Sequence, residues 1–159
     1  MILPARELMP LVRAALERGQ KVRLTVTGSS MIPFLRDSDT VELEPAQRLR
    51  LGDIVLVRTG AERYVLHRIV RMDGAAFFIR GDAQSWSEGP FAPEAVLGRV
   101  AAVWSKGGIR KIESGLWRLA GLLWLRTNPL GYFLLKGALI ARRLERSAQR
   151  RMQRIWQQT

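Results

Sequence analysis

Cysteine is absent from this chain of 159 residues, and histidine occurs once, at position 67. The absence of cysteine excludes disulfide bonds, a thiolate nucleophile and cysteine-ligated metal sites. A single histidine, with no acidic cluster at ligand spacing, does not supply the ligands that a transition metal needs. We therefore expect neither a bound metal nor another cofactor.

Acidic residues are scarce towards the C-terminus. Residues 105–159 hold 12 of the 26 basic side chains but only two of the 14 acidic ones, Glu113 and Glu145. Most of the net charge of +12 therefore lies in this tail. A positive field of that size favours an anionic partner, such as lipid headgroups or nucleic acid.

An uninterrupted apolar run long enough to span a membrane is also missing. The apolar stretch 116–140 contains Arg118, Arg126, Lys136 and Pro129. Each charge at the centre of a span costs about 2.5–3.5 kcal/mol, so a clean crossing is not expected. The tail instead has apolar residues at alternating spacings of three and four on a basic helix, which is typical of a helix lying in the membrane interface.

We predict that residues 114–159 bind an anionic membrane surface, which makes the protein peripheral or monotopic on a side that the sequence does not identify. In the alternative, the apolar stripe packs on the rest of the chain or on a second copy, giving a soluble cytoplasmic protein or a homo-oligomer. Nucleic acid is the less favoured partner, because no helix-turn-helix precedes the β-rich region.

Two helical segments flank a β-rich middle. Residues 5–18 have an amphipathic helical pattern, and Gly19 follows as a stop signal. Six strands are predicted in the middle, separated by turns rich in Asp, Gly, Ser and Pro: 22–27, 40–43, 54–58, 64–72, 76–80 and 96–104. Many short strands at this spacing predict a mainly β protein with a twisted, partly closed antiparallel sheet.

Three regions follow from this pattern. Residues 1–20 are predicted to form an N-terminal helix, 21–105 a β domain and 106–159 a basic, amphipathic helical tail. Residues 106–108 (KGG) are the predicted hinge, because glycines relax the backbone between elements.

The most informative segment is residues 28–33 (GSSMIP), read together with His67. A serine hydroxyl is a weak nucleophile until a positioned base takes its proton. Imidazole titrates near neutral pH and suits that task. Ser30 and His67 are thus a candidate nucleophile and base. The structural alternative is that the Gly-Ser-Ser segment is an ordinary turn and that His67 is a packed residue.

Six short motifs occur in an order that resembles the signal peptidase I family and its relatives among the self-cleaving repressor domains. They lie at 28–33 (GSSMIP), 36–41 (RDSDTV), 51–57 (LGDIVLV), 67–70 (HRIV), 80–83 (RGDA) and 97–100 (LGRV). The resemblance covers about residues 24–104. It implies a β-rich domain of signal-peptidase type that hydrolyses peptide bonds with a serine nucleophile.

The resemblance also implies a role for each site residue. The typical bacterial enzymes and the repressors use a lysine base, but no lysine lies between Lys21 and Lys106. A histidine followed by arginine resembles the endoplasmic-reticulum and archaeal type. This match implies Ser30 as nucleophile, His67 as general base and Asp82 as the carboxylate that orients the imidazole. The other Gly-Asp aspartate, Asp53, is interpreted as structural.

The chain departs from the signal peptidases in two respects. Gly28 occupies the position where those enzymes usually have a serine that helps hold the oxyanion, as in the repressor branch. The oxyanion hole is therefore predicted to consist of backbone N–H groups in the turn of Gly28, Ser29 and Ser30. In addition, the chain does not begin with the membrane-spanning helix that is usual in signal peptidases.

The resemblance implies a serine endopeptidase that removes a leader or signal peptide from a polypeptide substrate by cutting after small residues. Two alternatives belong to other classes. One is a catalytically inactive module that binds peptides at a strand edge and is tethered to a membrane. The other is a nucleic-acid-binding regulator, suggested by the repressor relatives and the basic tail.

Overall fold

The computed structural model describes residues 5–60, 63–105, 108–112 and 116–127. The chain divides into two compact units, Met1–Arg126 and Thr127–Thr159. The first unit contains nearly all of the described residues. It includes the predicted N-terminal helix, the predicted β domain and the start of the predicted tail.

The N-terminal helix, α1, spans Ala5–Glu17 and confirms the amphipathic pattern. Its buried side has Val12 and Leu16 in the main apolar core. Gly19 follows with a φ of +77°, a left-handed conformation that glycine adopts without strain. Leu16 packs directly on the sheet at Gly98, where an added Cβ would lie 2.9 Å from its Cδ1 atom.

Eight antiparallel strands form one sheet. They are β1 (Val22–Thr25), β2 (Thr40–Glu44), β3 (Ile54–Arg58), β4 (Tyr64–Asp73), β5 (Ala76–Arg80), β6 (Glu88–Phe91), β7 (Val96–Ser105) and β8 (Gly108–Lys111). The strand order is β1-β2-β7-β3-β4-β5-β6, and β8 pairs with β7. The two end strands, β1 and β6, do not pair with each other within the described part of the chain, so the sheet is open.

Both faces of the sheet bury apolar side chains. Strand β3 shows this most clearly, because Ile54 and Leu56 join the core beneath α1 while Val55 and Val57 join a second cluster on the opposite face. A continuous apolar run of this kind is typical of a strand covered on both sides. The second cluster also contains Ile69, Phe77 and Ile79.

A second described helix, α2, covers residues 116–127 and packs on the sheet domain. Trp117 and Trp124 approach Phe34 edge-on, with ring centroids 6.0 and 6.4 Å away. The opposite side of α2 is apolar and exposed: Leu116, Leu119 and Leu123 are 79%, 54% and 55% accessible. Neither α1 nor α2 has the length and hydropathy that a membrane crossing requires.

The predicted fold class is confirmed: the protein is mainly β, with an antiparallel sheet, a short N-terminal helix and a C-terminal helix. The structure also contains two strands that the sequence did not predict. Residues 87–90 (SEGP) lie in the turn region predicted between the strands at 76–80 and 96–104, but they contribute to β6, which pairs with β5 and places Phe91 against Phe77. The predicted hinge overlaps β8, whose Gly108 lies opposite Ser105. In both cases tertiary pairing overrides weak local strand preference.

The tail predictions beyond α2 fall on residues 128–159, which lie outside the described residues. Helix α2 is part of the predicted tail, and it has one side packed on the sheet domain and the other side exposed. The predicted boundary between a β domain and a tail at residues 105 and 106 stays a prediction.

Packing of α2 on the domain can be tested at Gly121, where an added Cβ would lie 2.6 Å from the Cζ atom of Arg68. Gly121→Ala should destabilise the full chain by about 1–3 kcal/mol through overpacking, although alanine favours helix. The matched control is Gly60→Ala, whose Cβ would have no neighbour closer than 4.0 Å among the described residues. Denaturant unfolding measures both variants, and wild-type stability in Gly121→Ala would contradict this packing.

Candidate active site

The loop that carries Ser30 is held at both ends. The backbone N–H of Val26 donates to Asp39 at 2.7 Å, and that of Ser38 donates to Val26 at 2.9 Å. Inside the loop, the N–H of Gly28 donates to the Asp37 carboxylate at 3.0 Å. Gly28 has a φ of +93°, which favours glycine at this position. Ser30 therefore sits on a turn with a defined backbone path.

The residues after Ser30 anchor the loop in the core. Met31 and Leu35 are buried in the cluster beneath α1. The carbonyl of Met31 accepts hydrogen bonds from the N–H groups of Phe34 and Leu35, at 3.0 and 2.9 Å, and so forms one helical turn. Buried apolar residues follow Ser30 in the chain, and the hydrogen-bonded Gly28 precedes it. Together they fix the position of the serine.

His67 lies on β4, opposite Val55 of β3, and only 3% of its surface is accessible. Its Nδ1 atom is buried and has no hydrogen-bond partner among the described residues. Burial lowers the pKa of His67 below 6.5, because a charged imidazolium loses its hydration there. The imidazole is therefore neutral at pH 7, the form that can accept a proton.

Ser30 and His67 line the same cavity, which has a volume of about 290 Å³. No hydrogen bond joins their side chains in the described structure. The rest of the lining comes from α1, from β1 and the loop after it, and from the sheet: Met9, Leu24, Thr25, Val26, Thr27, Gly28, Met31, Val41, Leu56, Tyr64, Val65 and Leu66. The fold thus brings the predicted nucleophile and base to one concave, largely apolar site.

The backbone N–H groups of the turn differ in availability. That of Gly28 is already bonded to Asp37. Those of Ser29 and Ser30 donate to no acceptor within the described residues. Of the predicted oxyanion turn, Ser29 and Ser30 therefore have N–H groups free to stabilise a developing negative charge, whereas Gly28 shapes the turn.

Asp82 is fully buried and bonds Arg68. Its Oδ1 and Oδ2 atoms accept hydrogen bonds from Nε and Nη2 of Arg68, each at 2.7 Å. Burial raises the pKa of Asp82, and the hydrogen bonds from Arg68 oppose that rise. The structure forms no hydrogen bond between Asp82 and His67, so the role of Asp82 in orienting the imidazole stays a prediction.

Arg68 is the residue that sequence reasoning did not single out. Besides its two bonds to Asp82, its Nη1 donates to the Gly52 carbonyl at 3.0 Å, and its guanidinium lies 4.7 Å from the centre of the Phe34 ring. Both residues of the pair lie in motifs that the sequence contains, since Arg68 belongs to residues 67–70 and Asp82 to residues 80–83. A sequence does not show that these two charges meet.

The segment around Asp82 also contacts the serine loop. The N–H of Ala83 donates to the Ser30 carbonyl at 2.8 Å. An added Cβ at Gly81 would lie 2.7 Å from that same carbonyl oxygen, so only glycine fits there. Residues 81–83 therefore link the backbone of Ser30 to the Arg68 side chain on β4.

Asp53 has a local structural role. Its carboxylate accepts a hydrogen bond from the N–H of Arg50 at 2.8 Å, which closes the turn before β3. In the part of the chain that the structure describes, no three His, Cys, Asp or Glu side chains are grouped to hold a metal ion.

A family model described as Peptidase S24-like matches residues 4–101, more than half of the chain. The chain belongs to the Peptidase S24-like family. The predicted kinship with signal peptidases and self-cleaving repressor domains is thereby confirmed at the level of the family, and a serine-peptidase type of fold is shown. The matched range contains Ser30, His67 and Asp82. No curated protein matches the chain.

The buried ion pair gives a stability prediction for this S24-like domain. Arg68→Met leaves Asp82 buried without its charge partner and should destabilise the protein by about 3–5 kcal/mol. The double variant Arg68→Met/Asp82→Leu should recover much of that loss, because no buried charge remains. Arg63→Gln is the control: it breaks the exposed Arg63–Glu88 pair and should cost less than about 1 kcal/mol. Equal losses in the single and double variants would contradict the interpretation.

The burial of His67 gives a pH dependence. As pH falls below about 6.5, the unfolded chain protonates this histidine before the folded chain does. The contribution of this pKa difference to the free energy of unfolding is complete above that pH and is lost as pH falls towards the lowered pKa of the folded state. Between about pH 7.5 and pH 5 the wild type should lose more unfolding free energy than His67→Gln, measured by urea denaturation. Parallel curves would show that His67 does not titrate differently on folding.

Proposed function

We propose that this protein is a serine endopeptidase in which Ser30 is the nucleophile and His67 the general base. One observation carries the proposal: a turn serine and a buried, neutral histidine without a hydrogen-bond partner at Nδ1 line the same cavity. A buried histidine that serves only packing commonly has its ring nitrogens bonded, since an unsatisfied buried polar atom is costly. Membership of a peptidase family supports the same interpretation.

The proposed reaction follows from these positions. Ser30 Oγ bonds to the carbonyl carbon of the scissile peptide while His67 takes the hydroxyl proton. The N–H groups of Ser29 and Ser30 stabilise the resulting oxyanion. The imidazolium then gives its proton to the amide nitrogen, the C–N bond breaks, and the amine product leaves an acyl-serine. Water, deprotonated by His67, hydrolyses the ester and restores the serine.

The walls of the cavity suit an extended polypeptide substrate. Within the described residues, strand β1 pairs with β2 alone, and β4 pairs with β5 only from Arg68 onwards. Backbone of β1 and of Tyr64–His67 therefore borders the cavity without a neighbouring strand on that side, an arrangement in which a substrate can add as a strand. Long side chains from Met9, Met31 and Leu56 occupy the wall. They favour small substrate side chains, as a leader or signal peptide cut after small residues would present.

Two other functions remain as alternatives. A catalytically inactive module would use the same strand edges to hold a peptide, and the reactivity of Ser30 separates it from an enzyme. Membrane binding through residues 114–159 also stays a prediction. The exposed leucines of α2 are compatible with it, and residues 128–159 lie outside the described residues. No described feature favours nucleic-acid binding over these functions.

The test is Ser30→Ala with Ser29→Ala as the matched control. Ser30→Ala removes the attacking oxygen and should reduce cleavage of a peptide library by at least about 10³-fold. Ser29→Ala retains the backbone N–H and should keep wild-type activity within about threefold. Both variants should unfold at the wild-type temperature, because neither serine hydroxyl bonds another described residue.

A fluorophosphonate probe gives a second measurement, since it labels an activated serine whatever the peptide specificity. Labelling of wild type and of Ser29→Ala, but not of Ser30→Ala or His67→Gln, is the expected pattern. Peptide binding to a wild-type protein that neither cleaves peptides nor reacts with the probe would instead establish the inactive module.

A further inference from the structure

A second cavity, with five basic residues among the 14 that line it, lies beside the sheet. Its volume is about 610 Å³, and none of its described lining residues also lines the cavity of Ser30 and His67. Glu44 of β2, Asp53 before β3 and Arg99 of β7 meet there. The basic members of the lining outnumber these two acids and are Lys21, Arg48, Arg50, Arg99 and Arg118.

The two acids already have basic partners. Glu44 accepts a hydrogen bond from Arg99 and lies 4.0 Å from Nζ of Lys21. Asp53 accepts the backbone N–H of Arg50 and lies 3.9 Å from Nη1 of Arg99. Lys21 and Arg99 thus lie within ion-pair distance of the two acids, whereas Arg48, Arg50 and Arg118 form no ion pair within the described residues.

These three arginines are available to a ligand. The side chains of Arg48 and Arg50 form no hydrogen bond or ion pair within the described residues. Nε of Arg118 donates to the Leu51 carbonyl at 3.1 Å, which holds this guanidinium at the cavity wall. Three positive charges around one cavity repel each other, and an anion between them removes that repulsion.

We propose that this cavity binds the phosphate group of an organic ligand through Arg48, Arg50 and Arg118. A guanidinium presents paired N–H donors that match phosphate oxygens, and a phosphate monoester carries up to two negative charges for three cations. The cavity is much larger than a phosphate alone and falls in the size range of organic ligands. Ile54, Val100 and Ile112 provide apolar wall for the organic part.

The ligand can come from two sources that share this chemistry: a phosphate ester in solution or the headgroup of an anionic phospholipid. The second source is compatible with the exposed Leu119 and Leu123 on α2, the helix that also carries Arg118. The proposal does not rest on the peptidase reaction, so Ser30→Ala should bind the same ligand as the wild type.

The experiment compares Arg48→Gln/Arg50→Gln with Arg36→Gln/Arg58→Gln in the full chain. Both variants lose two exposed arginines and the same net charge, but Arg36 and Arg58 lie outside the cavity. One arm titrates inorganic phosphate by calorimetry. The other measures sedimentation with vesicles of phosphatidylcholine, with or without phosphatidic acid.

Loss of the two cavity arginines should weaken binding at least about tenfold, because each removes charge-assisted hydrogen bonds. The control variant should bind within about twofold of wild type, since its arginines act only through long-range charge. Saturable phosphate binding with this pattern supports a site for soluble phosphate esters. The same pattern with phosphatidic acid vesicles alone supports a headgroup site. No binding to either probe, or equal losses in both variants, overturns the proposal.

Discussion

Arg68 and Asp82 are both fully buried and share two hydrogen bonds of 2.7 Å, so each charge relies on the other for the solvation that water no longer provides. Their hydrogen bonds and chain neighbours connect β4, the turn before β3, the segment around Asp82 and α2. Arg68 adjoins His67 on β4 and donates to the carbonyl of Gly52 before β3. The backbone carbonyl of Asp82 accepts the indole N–H of Trp124 at 2.8 Å, which fixes α2. A displacement of either side chain would therefore also shift the proposed general base, the sheet and α2.

An apolar pair of similar volume is often as stable as a buried ion pair, so stability alone does not account for this arrangement. The directionality of the bonds offers a reason. A bidentate guanidinium–carboxylate contact fixes both position and angle, whereas apolar packing tolerates sliding. Residues 81–83 hold the Ser30 carbonyl, and Arg68 follows His67 in β4. The pair thus constrains the two elements that carry the proposed nucleophile and base.

The two cavities of the domain differ in electrostatic character. The one at Ser30 and His67 is bordered mostly by apolar and uncharged residues, which keeps the imidazole neutral and able to act as a base. The other cavity concentrates arginines, with its two acids already matched by basic partners. A nearby cation lowers the basicity of an imidazole, and Arg63 already has this effect on the pKa of His67. The proposed anion site and the proposed site of proton transfer therefore lie at different places in the domain.

Local sequence determined the elements whose signals are strong. The apolar runs of β2 to β5 and β7, the amphipathic pattern of α1 and the stop signal at Gly19 all depend on near neighbours in the chain, and the structure agrees with them. The motif order also pointed to Ser30 and His67, which share a cavity. Tertiary structure decided the rest. Strand β6 forms from a Gly-Pro segment because β5 supplies a partner. Asp82 bonds Arg68, and Gly28 gives its N–H to Asp37, because folding brings those atoms within hydrogen-bond distance. Such contacts depend on three-dimensional distance, which residue spacing along the chain does not encode.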